Sequence, residues 1–405
     1  MVADERGECY NTATAFFPDL HGEQWYRTRG FKEIALLQGS VERSYRKTAA
    51  LINRVRHQPE ATPVRTLQQA SEAEGQRLDQ AMEQKATKIL KTAGFTAEGR
   101  PAQATTRYGP RAPYRLAAPT VAAAVADCGA DPAWQADIAT NPVPYEDPAR
   151  TAQVTIDDVG VKQQKEHRTG KDAGDGAGAR GKDTATHYVH NTIIHVQKEE
   201  ATYTLNGQGT TATLPWLIAL LWFNDLLRYN LVFFVDGQRT LQAAIVKAFA
   251  WARQVQIILD WHHLEKKCEQ QLSLALAGRA IRNQVLEELM KLLWYGLVDR
   301  AITYLKSLPA KQIKDPKAFQ GMLDYLERHK GEIPVYAVRK ALGLRNSSNV
   351  GEKHNDLLVS QRQKHNGMSW SKEGSRGLAT LTAARQNGEA ERWLKKGQIK
   401  FKLVA

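Results

Sequence analysis

The chain has 405 residues, 42% of them hydrophobic, and a formal net charge of +13 from 56 Lys and Arg against 43 Asp and Glu. That length calls for two or three domains with real cores, and the excess of positive charge favours polyanionic partners, nucleic acid foremost. Three scattered cysteines, Cys9, Cys128 and Cys268, exclude a disulfide framework and form no CxxC pair, which fits a reducing compartment.

The opening residues, MVADERGECYNTATAFF, lack the basic start and apolar core of a secretory leader. Residues 1–100 read as a helical, charged region. SYRKTAALINRV places Tyr45, Ala49, Ile52 and Val55 on one helical face. After a loop at 57–61, Thr62 is expected to cap a second helix with Pro63 at its first position. That helix would turn Val64 and Leu67 inward and Arg65, Gln68 and Gln69 outward. Two such helices, over about 31–76, resemble a helix-turn-helix, in which Arg65 would read guanine and Gln68 or Gln69 adenine. An ordinary helical hairpin with a solvated polar face is the competing reading.

Residues 101–150 are rich in Ala, Pro and Thr and read as a linker. From 151 the pattern turns to strands: QVTIDDVGVK alternates, and HYVHNTIIHVQ and ATYTL follow. The Gly-rich stretch 169–182 lacks the GxxxxGK[ST] spacing of a phosphate loop and reads as a connection between strands. TLPWLIALLWFNDLL is interrupted too soon, at Asn224 and Asp225, to span a bilayer, so it is expected as a buried helix within 213–229 and no membrane partner is implied. LVFFVDG is a fully apolar strand, as expected when both sheet faces are covered. A helix at 238–252 and the strand VQIILD complete the order β-β-β-α-β-α-β, the layout of RNase H-like folds. The expected fold is therefore α/β, an RNase H-like mixed sheet over 151–262. An all-helical insertion follows over 263–345, then final helices and a tail over 346–405.

Three acids fall where such a fold would gather them: Asp157 in VTIDDVGV, Asp236 in LVFFVDGQRT and Glu352 in NVGEKHND. Carboxylates suit Mg²⁺ or Mn²⁺, and two such ions can activate an attacking oxygen and stabilise a leaving one in phosphodiester chemistry. Each acid also has an ordinary reading. Asp157-Asp158 can end a strand, Asp236-Gly237 is a common turn dipeptide, and Glu352 can be a solvated helix residue. Asp158 competes with Asp157 as the first acid, and Glu373 competes with Glu352 as the third. Asp260 and His263 share a helix face, either supporting a metal site from behind, contacting a phosphate, or simply capping a helix start. Basic residues Arg339, Lys340, Arg345, Lys353, Arg362, Lys364 and Arg376 flank the third acid and would neutralise phosphates. Trp294 and Tyr295 in the insertion, or Trp370 near the third acid, could stack on an unpaired base, although Trp294 sits in an amphipathic helix and reads more readily as core.

The run FFVDGQRTLQAAIVKAFAWARQVQIILDWHHLEKKC resembles the segment around the second acid of Mutator-like bacterial insertion-sequence transposases, with its strand ending in Asp-Gly and its later (Cys/Asp)-x-x-His motif, here Asp260 to His263. SSNVGEKHNDLLVSQRQKHNGMSWSKEG is similar to that superfamily's third-acid region. The resemblance covers about 154–385. It implies a DDE transposase with Asp157, Asp236 and Glu352 as the metal-binding triad. It also implies double-stranded DNA partners (terminal inverted repeats and target), a homodimer or larger synaptic complex, and a cytoplasmic, nucleoid-associated location in bacteria. Two other readings stay open: an RNase H-like nuclease that never transfers strands, and an inactive DNA-binding descendant of a transposase.

Overall fold

Alternation and apolar runs produce one sheet at the centre of the computed structural model, which describes residues 2–3, 9–10, 29–42, 44–57, 59, 62–102, 112–164, 187–364 and 367–404. Apart from a two-residue antiparallel pair, Val2–Ala3 with Cys9–Tyr10, the described strands form this one sheet and are labelled β1 (Thr151–Lys162), β2 (Tyr188–Lys198), β3 (Ala201–Gly207), β4 (Asn230–Val235) and β5 (Val255–Leu259). They lie side by side in the order β3-β2-β1-β4-β5. β1 runs antiparallel to β2 and parallel to β4, and β5 runs parallel to β4. The sheet is therefore mixed, with the first strand central, as the sequence order implied. The Gly-rich stretch 169–182 lies outside the described residues, as does most of the stretch before residue 29.

Side chains alternate across the strand, so β1 serves two cores. Ala152, Val154 and Ile156 join the core that includes Leu217, Leu220 and Leu221 of a buried apolar helix (Thr210–Phe223). Val159 and Val161 face the other way, onto Leu358 and Val359. The apolar helix ends earlier than the expected 229, because Asn224 turns its side chain back to the Leu220 carbonyl and across to that of Phe401. All six residues of β4 are buried, as both-face coverage requires.

In the N-terminal region α1 (Arg29–Val41), α2 (Tyr45–Val55) and α3 (Val64–Ala93) follow one another. The second helix of the expected helix-turn-helix is thus a single 30-residue rod. Pro63 occupies the N-cap position, Thr62 makes no side-chain cap, and Val64 is exposed rather than inward, while Leu67 is buried. Asn53 holds the join instead, its Oδ1 accepting from the Thr62 amide at 2.8 Å. The middle of α3 packs on α4 (Lys372–Gln386) and on the apolar helix. A Cβ at Gly75 would overlap the Gly377 backbone, so these two helices touch main chain to main chain. Arg65 and Gln69 remain exposed on the first turns of α3, and Gln68, half-buried, donates to Glu72 at 2.9 Å.

The expected linker 101–150 is more structured than its composition suggested. It contains a helix at Ala118–Asp127 and braces the helices that follow β5. Glu146 accepts two bonds of 2.7 Å from Arg339, both residues buried. Asn141 donates to the carbonyls of Gly296 and Ile333. The block after β5 comprises helices Trp261–Ala275, Arg279–Trp294, Val298–Lys306, Pro316–His329 and Tyr336–Ala341. Leu264, Leu289, Leu305 and Met322 belong to a core of its own, and Trp294 packs against that core as expected. No described helix is long and apolar enough to cross a membrane.

Candidate active site

Asp157, Asp236 and Glu352 line one small cleft, together with Thr155, Phe234, His263, Ser348, Gly351 and Asn355. The parallel register brings the first two together. Thr155 pairs with Phe234 across β1 and β4, and Asp157 and Asp236 each come two residues later, on the same face of the sheet. Asp158, the neighbour on the strand, points to the opposite face. Its Oδ1 accepts from Thr192 Oγ1 at 2.5 Å, and it does not line the cleft. Glu373 is exposed on the first turn of α4, also outside the cleft.

Glu352 arrives on a short helix, Asn349–Asn355, that passes directly into a π-helix, Asp356–Lys364. Such wide turns recur at functional sites. The His354 ring stacks on His195 of β2, with centres 3.8 Å apart, and two further contacts hold this short helix to β1 beside the acids. Gly351 lies so close to β1 that a Cβ there would overlap Thr155 Oγ1. Asn355, three residues after Glu352, donates to Asp157 Oδ2 at 2.7 Å. A fourth contact comes from the block. Asp260, fully buried, caps helix Trp261–Ala275 by accepting from the His263 amide at 2.9 Å, and its other oxygen accepts from the Ser348 amide. Asp260 is therefore both a helix cap and the tie between two helix starts. The His263 ring reaches the third acid directly, with Nε2 at 3.0 Å from Glu352 Oε1.

Electrostatics mark the cleft as a place of crowded negative charge. Loss of solvation, and next the facing Asp236 carboxylate, push the Asp157 pKa up, while the His263 imidazole acts in the other direction. Asp236 Oδ1 accepts from the Gln238 amide at 2.9 Å, closing the turn after β4. Three hard oxygen donors on three separate elements suit a divalent cation by their chemistry, and a cation would relieve the repulsion felt at Asp157. Among the described residues no three His, Cys, Asp or Glu side chains stand close enough together to hold a metal ion as they are placed.

No family model matches the chain, and no curated protein matches it. A solved structure, the Drosophila P element transposase strand transfer complex, aligns over 96% of this chain and 86% of that one at 9% identity, with a TM-score of 0.26. A likeness this slight carries no argument about this chain.

Of the basic residues expected to meet phosphate, Lys353, next to Glu352, and Lys364, at the end of the π-helix, are exposed. Arg362 is buried instead, with its guanidinium 4.8 Å from the centre of the Tyr45 ring and 5.3 Å from that of Trp370. Burial also lowers its pKa. Arg362 is thus committed to joining α2 to the π-helix, and Trp370, itself buried, is not available to stack on a base. Arg339 is committed to Glu146, and Arg376 pairs with Asp79. Sequence reasoning missed Gly351, Asn355 and Ser348. A glycine directly before the acid in NVGEKHND was the one visible signal, since helices rarely carry glycine without a packing reason.

Proposed function

We propose that the chain is a DDE transposase of the Mutator-like insertion-sequence type, with an RNase H-like catalytic domain that cuts DNA at element ends and joins them to target DNA. The observation that carries this reading is the convergence of Asp157, Asp236 and Glu352 from β1, the end of β4 and a helix beyond a separate helical block. A central β1 with two parallel neighbours toward one edge and two antiparallel strands toward the other supports the RNase H-like assignment. Asp157, Asp236 and Glu352 would hold two Mg²⁺ or Mn²⁺ ions, which when bound activate the attacking oxygen and stabilise the leaving one. Asn355 orients Asp157, and Asp260 anchors the helix start that presents Glu352. His263 offers an imidazole hydrogen-bonded to that acid, where it would orient the carboxylate or meet a phosphate oxygen of bound DNA.

Double-stranded DNA would be the partner, bound by the exposed positive surface that includes Arg65, Lys353 and Lys364 together with Gln69, and two ends would be held by a dimer or larger assembly. The deciding experiment uses DNA from the ends of the element with Mg²⁺, supplied both intact and already nicked to a free 3′-hydroxyl. Cleavage plus joining of the nicked ends to a target plasmid is the expected result. Cleavage without any joining would favour a resolvase-type nuclease. Specific binding with neither reaction, unchanged by Asp236→Asn, would favour an inactive descendant.

A further inference from the structure

The helical block touches the second acid through one unusual contact. Tyr325, on helix Pro316–His329, is buried, and its hydroxyl has no hydrogen-bond partner among the described residues. That hydroxyl presses on the turn that carries Asp236. Gly237 has φ +84, and a Cβ built there would stand 2.6 Å from Tyr325 Oη. The residue after the acid is therefore held to glycine twice, by its left-handed backbone and by the phenol. Behind Tyr325 the polar chain continues. Its ring centre lies 4.5 Å from that of His329, whose Nδ1 meets Glu332 Oε2 at 2.6 Å, and Gln242 also donates to Glu332 at 2.6 Å. The tyrosine is thus fixed from behind while its hydroxyl faces the acid's turn.

An unsatisfied hydroxyl in a packed interior costs about 1–3 kcal/mol, so its retention calls for an explanation. Packing alone does not supply one, because phenylalanine would fill the same space. We propose that Tyr325 is a positioning residue for Asp236, its hydroxyl donating to the second carboxylate oxygen and turning that side chain toward Asp157 when a divalent cation enters the cleft. Asp236 Oδ1 already accepts from the Gln238 amide, so the two donors together would fix both oxygens of one carboxylate. The helical block would then act on the chemistry from outside the sheet.

This inference rests on the metal-binding reading above, and its test separates the two. Mn²⁺ binding to the full-length protein is measured by calorimetry, with melting temperature as a control, for the wild type, Tyr325→Phe, Asp236→Asn and the double variant. Tyr325→Phe is expected to weaken Mn²⁺ binding by about 10-fold or more, the usual scale for a group behind a metal ligand, without lowering the melting temperature. In the Asp236→Asn background the same change is expected to have no further effect. Wild-type affinity in Tyr325→Phe overturns the inference and leaves the metal site standing, as does an equal loss in both backgrounds. A wild-type protein that takes up no Mn²⁺ overturns both.

Discussion

Asp157 on β1 and Asp236 just past the end of the neighbouring parallel strand β4 each come two residues after the Thr155–Phe234 pair. The parallel register brings the two carboxylates to one face of the sheet, and loss of solvation first, then repulsion from Asp236, raises the Asp157 pKa. Any shift of β4 against β1 by one residue would turn Asp236 to the opposite face and dissolve the pair.

That repulsion has a pH signature. A carboxyl whose folded pKa lies above its unfolded value favours the folded state most in acid, and the advantage is lost as pH rises through the folded pKa. Metal-free Asp157→Asn is therefore expected to melt above the wild type at neutral pH, with the gap closing as the pH falls through the raised folded value and gone below the ordinary aspartate range. Scanning calorimetry across pH in the presence of a chelator checks this, and a gap that widens in acid would contradict it.

Gly351 permits the third acid to approach the sheet. Gly351→Ala is expected to force the helix bearing Glu352 off Thr155, at a cost of about 1–3 kcal/mol in stability and at least 10-fold in Mg²⁺-dependent cleavage. Adding Thr155→Ala should restore part of both losses. Chemical denaturation and a cleavage assay on the same preparations measure the two effects.

Asp260 joins two helix starts. Asp260→Ala removes the cap on helix Trp261–Ala275 and the acceptor for the Ser348 amide, so a loss of about 2 kcal/mol or more is expected. Asp260→Asn retains an acceptor oxygen and should lose less. Hydrogen exchange should show faster opening at residues 348–355 in both variants, and unchanged exchange there would remove Asp260 from the account of the site.

Binding and catalysis should separate. Asp236→Asn is expected to abolish cleavage and leave affinity for end DNA within a few-fold, because few phosphate contacts involve a metal ligand. Arg65→Ala is expected to weaken specific binding by about 1–3 kcal/mol, since it removes an exposed side chain at the start of α3. Fluorescence anisotropy at fixed salt measures both. A normal affinity for Arg65→Ala would turn α3 into a purely structural helix.

The sheet and the positions of the three acids were legible because they rest on short-range signals. Period-two alternation marked β1, an unbroken apolar run marked β4, and Asp-Gly marked the turn beyond it. The choice of Asp157 over Asp158 for the cleft needed only the alternation of side chains, once the buried partner of Asp158 was known. The charged residues were harder. Arg339 and Arg362 read as phosphate-neutralising side chains beside the third acid, yet both are buried, one on a carboxylate and one on two aromatic rings. Their partners, Glu146, Tyr45 and Trp370, lie elsewhere in the sequence, and no local pattern announces such pairs. The full length of α3 was missed for a similar reason. Gly75 sits in its middle not to break it but to meet Gly377.

The union of Glu146 with Arg339 bears on how this molecule can be taken apart. A fragment begun at Thr151 would keep the guanidinium and discard its carboxylate, leaving a buried cation with the Arg345 carbonyl but no counter-charge. The fragment to clone for crystals or for a minimal enzyme therefore starts well upstream, before Tyr114, whose backbone is stitched to Asn230.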